Sequence, residues 1–322
     1  MTMTPWTSAG ALLLGALFLY LGAEGLVRGA AGLALRLGVR PLLIGLTVVA
    51  YATSAPELVV STAAAWRGSS DIALGNVVGS NIANLGLILG LTALIAPPKS
   101  DGTMAGRELW VLALATAMVP LLLLDGSIGR IEGAALALGA VAFTWLTVRW
   151  SLRDPTNHDP MSDALAEAAR GRPSARLVGL CVVGLLLLVG GGELFVRGSV
   201  SMAQLFGVSE RVIGLTLVAL GTSLPELAAS AVAALRGHAE LAIGNVVGSN
   251  IFNVLLILGA AALVKPMTGD LAVMGVDLLT LAWVTVLAFL MLRTPRVVTR
   301  AEGFLLLASY GAFLVALVLA PS

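Results

Sequence analysis

The sequence predicts an all-α membrane protein of about ten transmembrane helices arranged as an inverted 5+5 repeat. Three observations carry that expectation. The chain of 322 residues is 58% hydrophobic and only 11% charged, with a mean hydropathy of +0.98, whereas a soluble domain is about one-quarter charged. The phrase GNVVGSN occurs twice, at 75–81 and again at 244–250. Lys and Arg gather in alternate loops rather than being spread along the chain.

Apolar runs of about 20 residues, long enough to cross roughly 30 Å of hydrocarbon as helices, place the spans. They fall at 8–33, 41–66, 71–95, 107–124 and 129–150, then at 176–207, 210–235, 240–264, 271–292 and 300–320. The N-terminal stretch MTMTPWTSAG lacks a basic region, so the first run is expected to be the first helix rather than a cleaved leader. The polar segment 151–175, with its Arg, Asp and Pro, reads as a surface linker. It divides a first five-helix repeat, residues 1–150, from a second, residues 176–322.

Glu57 and Glu226 stand 169 residues apart. The same offset joins Glu24 to Glu193, Arg28 to Arg197, Asn84 to Asn253 and Pro97 to Pro266, and about half of the positions between Glu24 and Pro97 are identical in the second copy. Five spans per half is an odd number, so the second half must enter the membrane with opposite polarity, the pattern of many secondary transporters. Loops carrying Arg36, Arg40, Lys99, Arg107, Arg153, Arg170, Arg236 and Arg296 alternate with loops holding only Arg67, Arg130, Arg211 and Lys265. The positive-inside rule then puts the linker 151–175 in the cytoplasm and both termini outside. A plasma (inner) membrane location follows as an expectation.

Composition also excludes. A net charge of +1 offers no surface for nucleic acid, and the single Cys181 allows no internal disulfide. There is no Walker A phrase for ATP, and no nucleophile–base set or histidine cluster for an enzyme. The expectation is a transporter without a cofactor.

Two phrases in each half carry chemistry. The first is AYATSAPE at 50–57, matched by ALGTSLPE at 219–226. Proline within a helix removes one donor and pushes away the carbonyl four residues earlier, here that of Ala52. An unpaired carbonyl in lipid is costly unless it faces a cavity or an ion. The next residue is a carboxylate, which costs at least about 2.5 kcal/mol to insert at mid-membrane and is functional by default. Glu57, Glu226, the hydroxyls of Thr53, Ser54, Thr222 and Ser223, and the loosened carbonyls make a set of hard oxygen ligands suited to Na⁺ and Ca²⁺. No Lys or Arg lies nearby in sequence, so cations or protons must balance the two carboxylates. In the second phrase Ser80 and Asn84, four apart, share one helical face, as do Ser249 and Asn253, and they add neutral oxygens. Asn76 and Asn81 fall on other faces, where they are expected to brace the proline-broken backbone. Gly75, Gly79 and Gly86 are expected to admit a close neighbouring helix.

These paired phrases resemble the two alpha repeats of the calcium/cation antiporter superfamily, the sodium/calcium exchanger family in particular. The resemblance covers nearly the whole chain. It implies an inverted arrangement of ten helices around one Ca²⁺ site and several Na⁺ sites. It implies that Glu57 and Glu226 bridge those sites, that Asn84, Ser80, Ser249, Thr53 and Thr222 are ligands, and that Ala50 and Ala219 contribute carbonyls. It also implies that the first and sixth helices slide to alternate access. Some sodium-coupled members carry Asp where this chain has Asn253, which leaves two core carboxylates and keeps H⁺ and K⁺ open as coupling ions beside Na⁺. A proton-coupled calcium exchanger is the first rival and a passive cation channel the second.

Other acids read more plainly. Glu24 and Glu193 each have an Arg four residues on, which predicts local helical pairs. Glu108 and its repeat mate Asp277 are expected near a membrane interface, Asp163 and Glu167 on a solvated linker face, and His158 and His238 in loops.

The orientation is tested with Ser162→Cys and Ser322→Cys in a Cys181→Ala background. An impermeant thiol reagent applied to intact cells should label position 322 and spare 162; labelling of 162 alone would invert the topology.

Overall fold

The computed structural model describes residues 4–97, 99–100, 106–153, 174–206, 219–293 and 296–319. The fold is almost wholly helical. Among the described residues, seven helices are long and apolar enough to cross a membrane, or eight when the bent pair Pro41–Thr53 and Ala55–Arg67 counts as one span. Of the two other expected spans, 107–124 forms a helix of 17 residues, Gly106–Leu122. The first part of 210–235 lies outside the described residues, as do most of the linker, His158, Asp163, Glu167 and Arg211.

Helix α1 (Pro5–Leu37) has 33 residues, about 50 Å at 1.5 Å per residue, more than the hydrocarbon alone requires. In chain order follow α2 (Pro41–Ile44), a π-helical turn Gly45–Val49, α3 (Ala50–Thr53) and α4 (Ala55–Arg67). Next come α5 (Ser70–Ile82), a π segment Ala83–Ile88, α6 (Leu89–Ile95), β1 (Lys99–Ser100), α7 (Gly106–Leu122), β2 (Ser127–Ile128) and α8 (Arg130–Arg153). The second half repeats the order: α9 (Ser174–Leu205), α10 (Ala219–Gly221), α11 (Leu224–Leu235), α12 (Ala239–Phe252), a π segment Asn253–Leu258 and α13 (Gly259–Val264). It ends with β3 (Met267–Thr268), α14 (Gly275–Arg293), β4 (Arg296–Val297) and α15 (Arg300–Leu319).

Helices α1 and α9, the equivalent first helices of the two halves, pack antiparallel along most of their length. Gly15 meets Gly191 and Phe195, Gly22 meets Gly184 and Leu188, and Gly29 meets Leu177 and Cys181. Helix association in lipid lacks a hydrophobic driving force, so close backbone approach through small residues supplies the attraction. Each glycine here removes the side chain that would keep the two backbones apart.

The broken spans lie inside. The chain bends by 46° between α3 and α4, where Ser54 (φ −81°, ψ 5°) links the two helices just ahead of Pro56. Ser223 (φ −87°, ψ 3°) repeats that conformation ahead of Pro225. The most deeply buried spans are α5–α6 and α12–α13, which carry the two GNVVGSN phrases. Of the three glycines expected to admit a close neighbour, only Gly86 does so, with a methyl there lying 3.0 Å from Cβ of Tyr310. Gly75 and Gly79 face open space with nothing within 4 Å. Their mates Gly244 and Gly248 are tight, a methyl lying 2.6 Å from the Leu42 carbonyl oxygen and 2.7 Å from that of Leu46, because α2 and the π-helical turn of the first half pack on α12.

The halves interlock through contacts that repeat at the sequence offset of 169, or at 170 in the last span of each half. Helix α8 lies on α13 and α15 lies on α6, with Gly133 against Gly259 and Gly303 against Gly90. Short antiparallel ribbons pair Lys99 with Val297 and Ser127 with Thr268. Thr116 and Thr285, equivalent positions in the two halves, face each other at 3.3 Å. The loops also segregate. Arg300 reaches the Leu94 carbonyl and Arg40 pairs with Glu240, whereas Thr268 bonds Ser70.

Gly184 measures the α1–α9 packing directly, because a methyl there would lie 2.6 Å from the Leu26 nitrogen and 2.7 Å from the Gly22 carbonyl. Gly184→Val should lower the melting temperature of the purified protein, reflecting the roughly 1–3 kcal/mol cost of overpacking. Gly179→Val, where no atom lies within 4 Å, should leave it within a degree or two, about the effect of a neutral site.

Candidate cation site

Both proline-broken spans point their carboxylates inward. Glu57, in the first turn of α4, is 1% exposed, and Glu226, in the first turn of α11, is fully buried. The halves exchange reciprocal hydrogen bonds. The Ser54 hydroxyl donates to Oε1 of Glu226 at 3.2 Å, and its mate, the Ser223 hydroxyl, donates to Oε1 of Glu57 at 3.3 Å. The two acids therefore share one locale although 169 residues separate them. Neither has a Lys or Arg partner among the described residues.

The GNVVGSN helices frame this pair. Nδ2 of Asn76 donates to the Ser61 hydroxyl at 2.9 Å and to the Glu57 carbonyl at 3.3 Å. Asn245 does the same for Ser230 at 2.9 Å and the Glu226 carbonyl at 3.4 Å. The amide oxygens then accept from the opposite half: Thr53 donates to Asn245 at 3.2 Å and Thr222 to Asn76 at 3.5 Å. Each asparagine thus fixes its own glutamate helix and orients the other half's threonine. The bracing expected of Asn76 is present. That expected of Asn81 is not: its Nδ2 donates to the Asn250 carbonyl at 3.2 Å and its Oδ1 accepts from Asn253 at 3.0 Å. It joins the two GNVVGSN helices, because it sits more than a turn beyond Asn76 and on another face.

Asn84 and Asn253 lie in the two π segments, where the altered register leaves ladder groups loose, a feature often found at functional sites. The Asn84 segment packs on α11, which carries Glu226, and the Asn253 segment packs on α4, which carries Glu57. Six buried side-chain oxygens at mated positions have no hydrogen-bond partner among the described residues, namely Oε2 of Glu57 and Glu226, Oγ of Ser80 and Ser249, and Oδ1 of Asn84 and Asn253; Oδ1 of Asn250 and Nδ2 of Asn84 nearby have none either. A buried polar atom without a partner costs about 1–3 kcal/mol, so six such atoms drawn equally from both halves describe a place built for something else. Ala50 is buried, and its carbonyl accepts from the Ser54 amide at 3.0 Å and from the Thr53 hydroxyl at 3.5 Å. Ala219 opens α10 at the equivalent position.

The comparisons with known proteins agree with this plan. The profile of a family described as "Sodium/calcium exchanger protein" matches residues 7–149 and 176–319, in two segments that coincide with the two halves. The chain belongs to the sodium/calcium exchanger family. This is a family of membrane ion exchangers, not of enzymes. Among similar exchanger relatives is the putative antiporter CaxA of Alkalimonas amylolytica, 40% identical over 302 residues, covering 93% of this chain and 95% of the relative. The sodium/calcium exchanger MaX1 of Methanosarcina acetivorans is 33% identical over 340 residues, covering 95% and 97%. A solved structure of the sodium-calcium exchanger NCX_Mj, soaked with Na⁺ and Sr²⁺, superposes with a TM-score of 0.82 at 30% identity and covers 99% of this chain and 100% of that one.

Sequence reasoning passed over Ser61 and Ser230, which are fully buried and hold the asparagine braces. Their signal was available: both recur at the repeat offset as small polar residues one turn beyond a glutamate.

Proposed function

We propose that this chain is a secondary active antiporter that exchanges Ca²⁺ for Na⁺ by alternating access around one shared site. Glu57 and Glu226 supply the charge, and the neutral ligands are the side-chain oxygens of Ser54, Ser223, Thr53, Thr222, Ser80, Ser249, Asn84 and Asn253 with the carbonyls of Ala50 and Ala219. The observation that carries the reading is a set of six unpartnered buried oxygens, two of them on the carboxylates Glu57 and Glu226, which have no Lys or Arg partner among the described residues. Calcium takes six to eight oxygens, so the set matches its demand in number and hardness. Two carboxylates balance one Ca²⁺; Na⁺ ions compete for the same oxygens. Occupation by one ion type excludes the other, and that exclusion is the coupling. The relatives' names, a sodium/calcium exchanger and an antiporter, support the reading.

Residues 1–150 and 176–322 form the two inverted repeats in this proposal, with ten spans in all, the linker 151–175 in the cytoplasm and both termini outside the plasma (inner) membrane. The antiparallel pairing of α1 with α9 supports the inversion, since equivalent helices of parallel repeats would run the same way. The loop contacts support the span count: the pairings described above join only loops of the same parity, as alternate crossings require. One observation favours the proton-coupled rival. With Asn at 253, the two carboxylates are the only acids of the cluster, and two protons would balance them as fully as one Ca²⁺. Against this stands the number of neutral oxygens, for which a proton has no use.

Glu57→Gln and Glu226→Gln should each reduce ⁴⁵Ca²⁺ uptake by purified, reconstituted protein to background. Each removes one charge and leaves a divalent ion under-compensated in a poorly solvated site, a penalty of several kcal/mol. Uptake near wild-type levels by both variants would sink the site assignment.

A further inference from the structure

The repeats are alike in sequence at four charged positions and unlike in structure there. Glu24 and Arg236 have as repeat mates Glu193 and Arg67. In the first pair, Glu24 on α1 accepts from Arg236 at the end of α11, through Nη2 at 2.8 Å and Nε at 2.9 Å. The local pair with Arg28 expected from sequence is present as well, so Glu24 is more than a helix-surface acid. In the mate pair, Glu193 on α9 bonds only Arg197, its neighbour one turn on, and Arg67 makes no ion pair among the described residues.

The packing around the two pairs differs in the same sense. Leu19, Ala23, Leu26, Val27 and Ala30 of α1 form one apolar cluster with Ala229, Val232 and Ala233 of α11. The Glu24 side chain at this seam is 11% exposed, whereas that of Glu193 is 60% exposed. Ala229 is 1% exposed, whereas its mate Val60 is 38% exposed. One end is sealed by a helix seam topped with an inter-half ion pair; the equivalent seam at the other end is parted.

We propose that Glu24–Arg236 and Glu193–Arg67 are alternating gate locks, one made and the other broken in each of two conformations. The inference rests on the exchanger reading. Halves with the same residues and opposite polarity have two near-equivalent ways to pack, and each state is the other with the roles of the halves exchanged. Arg236 lies in a loop that the Lys/Arg asymmetry assigns to the cytoplasm, and Arg67 in one assigned to the outside. The described conformation is therefore closed at the cytoplasmic end, and formation of Glu193–Arg67 closes the outer end after the first pair parts. A partly exposed ion pair is individually weak, which suits a latch that must open in every cycle.

The test uses the full chain carrying Cys181→Ala, Glu193→Cys and Arg67→Cys, purified and treated with a short bifunctional thiol reagent. Crosslinking should be slow in this protein. It should accelerate about tenfold, a typical coupling, when Glu24→Arg breaks the closed lock, and return to the slow rate when Arg236→Glu is added to restore the pair with reversed charges. A rate that Glu24→Arg leaves unchanged, or an acceleration that the double reversal does not correct, overturns the proposal. Should Glu24→Arg alone fail to fold, Glu24→Gln breaks the same pair and should accelerate crosslinking over the Glu24 protein, and an unchanged rate overturns the proposal. Crosslinking reads conformation without any ion flux, so failure here is distinct from failure of Ca²⁺ exchange.

Discussion

Two buried carboxylates with no Lys or Arg partner among the described residues are the constraint from which the rest of this structure follows. Each alone is expensive in a poorly solvated interior, and together they repel. The protein satisfies one oxygen of each with a serine hydroxyl from the opposite half and leaves the other oxygen open. An arginine nearby would neutralise the pair and abolish its use. In the proposed exchange, the missing positive charge is supplied by an ion that can also leave.

Internal duplication solves the geometry. One half supplies a carboxylate, a serine, a threonine and an asparagine at fixed spacing, and the second half supplies the same set at the repeat offset. The backbone is broken where those groups stand, by Pro56 and Pro225 in one span of each half and by the π segments Ala83–Ile88 and Asn253–Leu258 in the next. Straight helices would turn every carbonyl back into the ladder. Broken ones aim polar groups at a common point, while Asn76 and Asn245 keep the breaks from sagging. Glycine-lined contacts between α1 and α9, by contrast, give two long helices a smooth shared surface away from the site.

Much of this was legible because polar residues are conspicuous in an apolar chain. The offset of 169 identified the halves, and a glutamate after a proline, repeated, identified the acids whose burial the structure displays. The π segments were not legible, since a change of hydrogen-bond register leaves no mark on composition. The partners of Asn81 were not legible either: whether an asparagine reaches its own broken helix or the other GNVVGSN helix depends on how the spans cross. Least legible was the asymmetry at Glu24 and Glu193. Both repeats spell the same acid and the same arginines, so nothing in the letters says which end is closed. That choice belongs to a conformational state, and sequence describes both states at once.

The proposed exchange requires Na⁺ and Ca²⁺ to compete for one site. The direct measurement is ⁴⁵Ca²⁺ uptake by reconstituted vesicles loaded with Na⁺ and diluted into Na⁺-free buffer, with pH clamped equal on both sides and with an imposed pH gradient as the parallel arm. Uptake that scales with the outward Na⁺ gradient and ignores the pH gradient is the predicted result. Uptake that ignores Na⁺ and follows the pH gradient would contradict it and assign the two glutamates to protons instead.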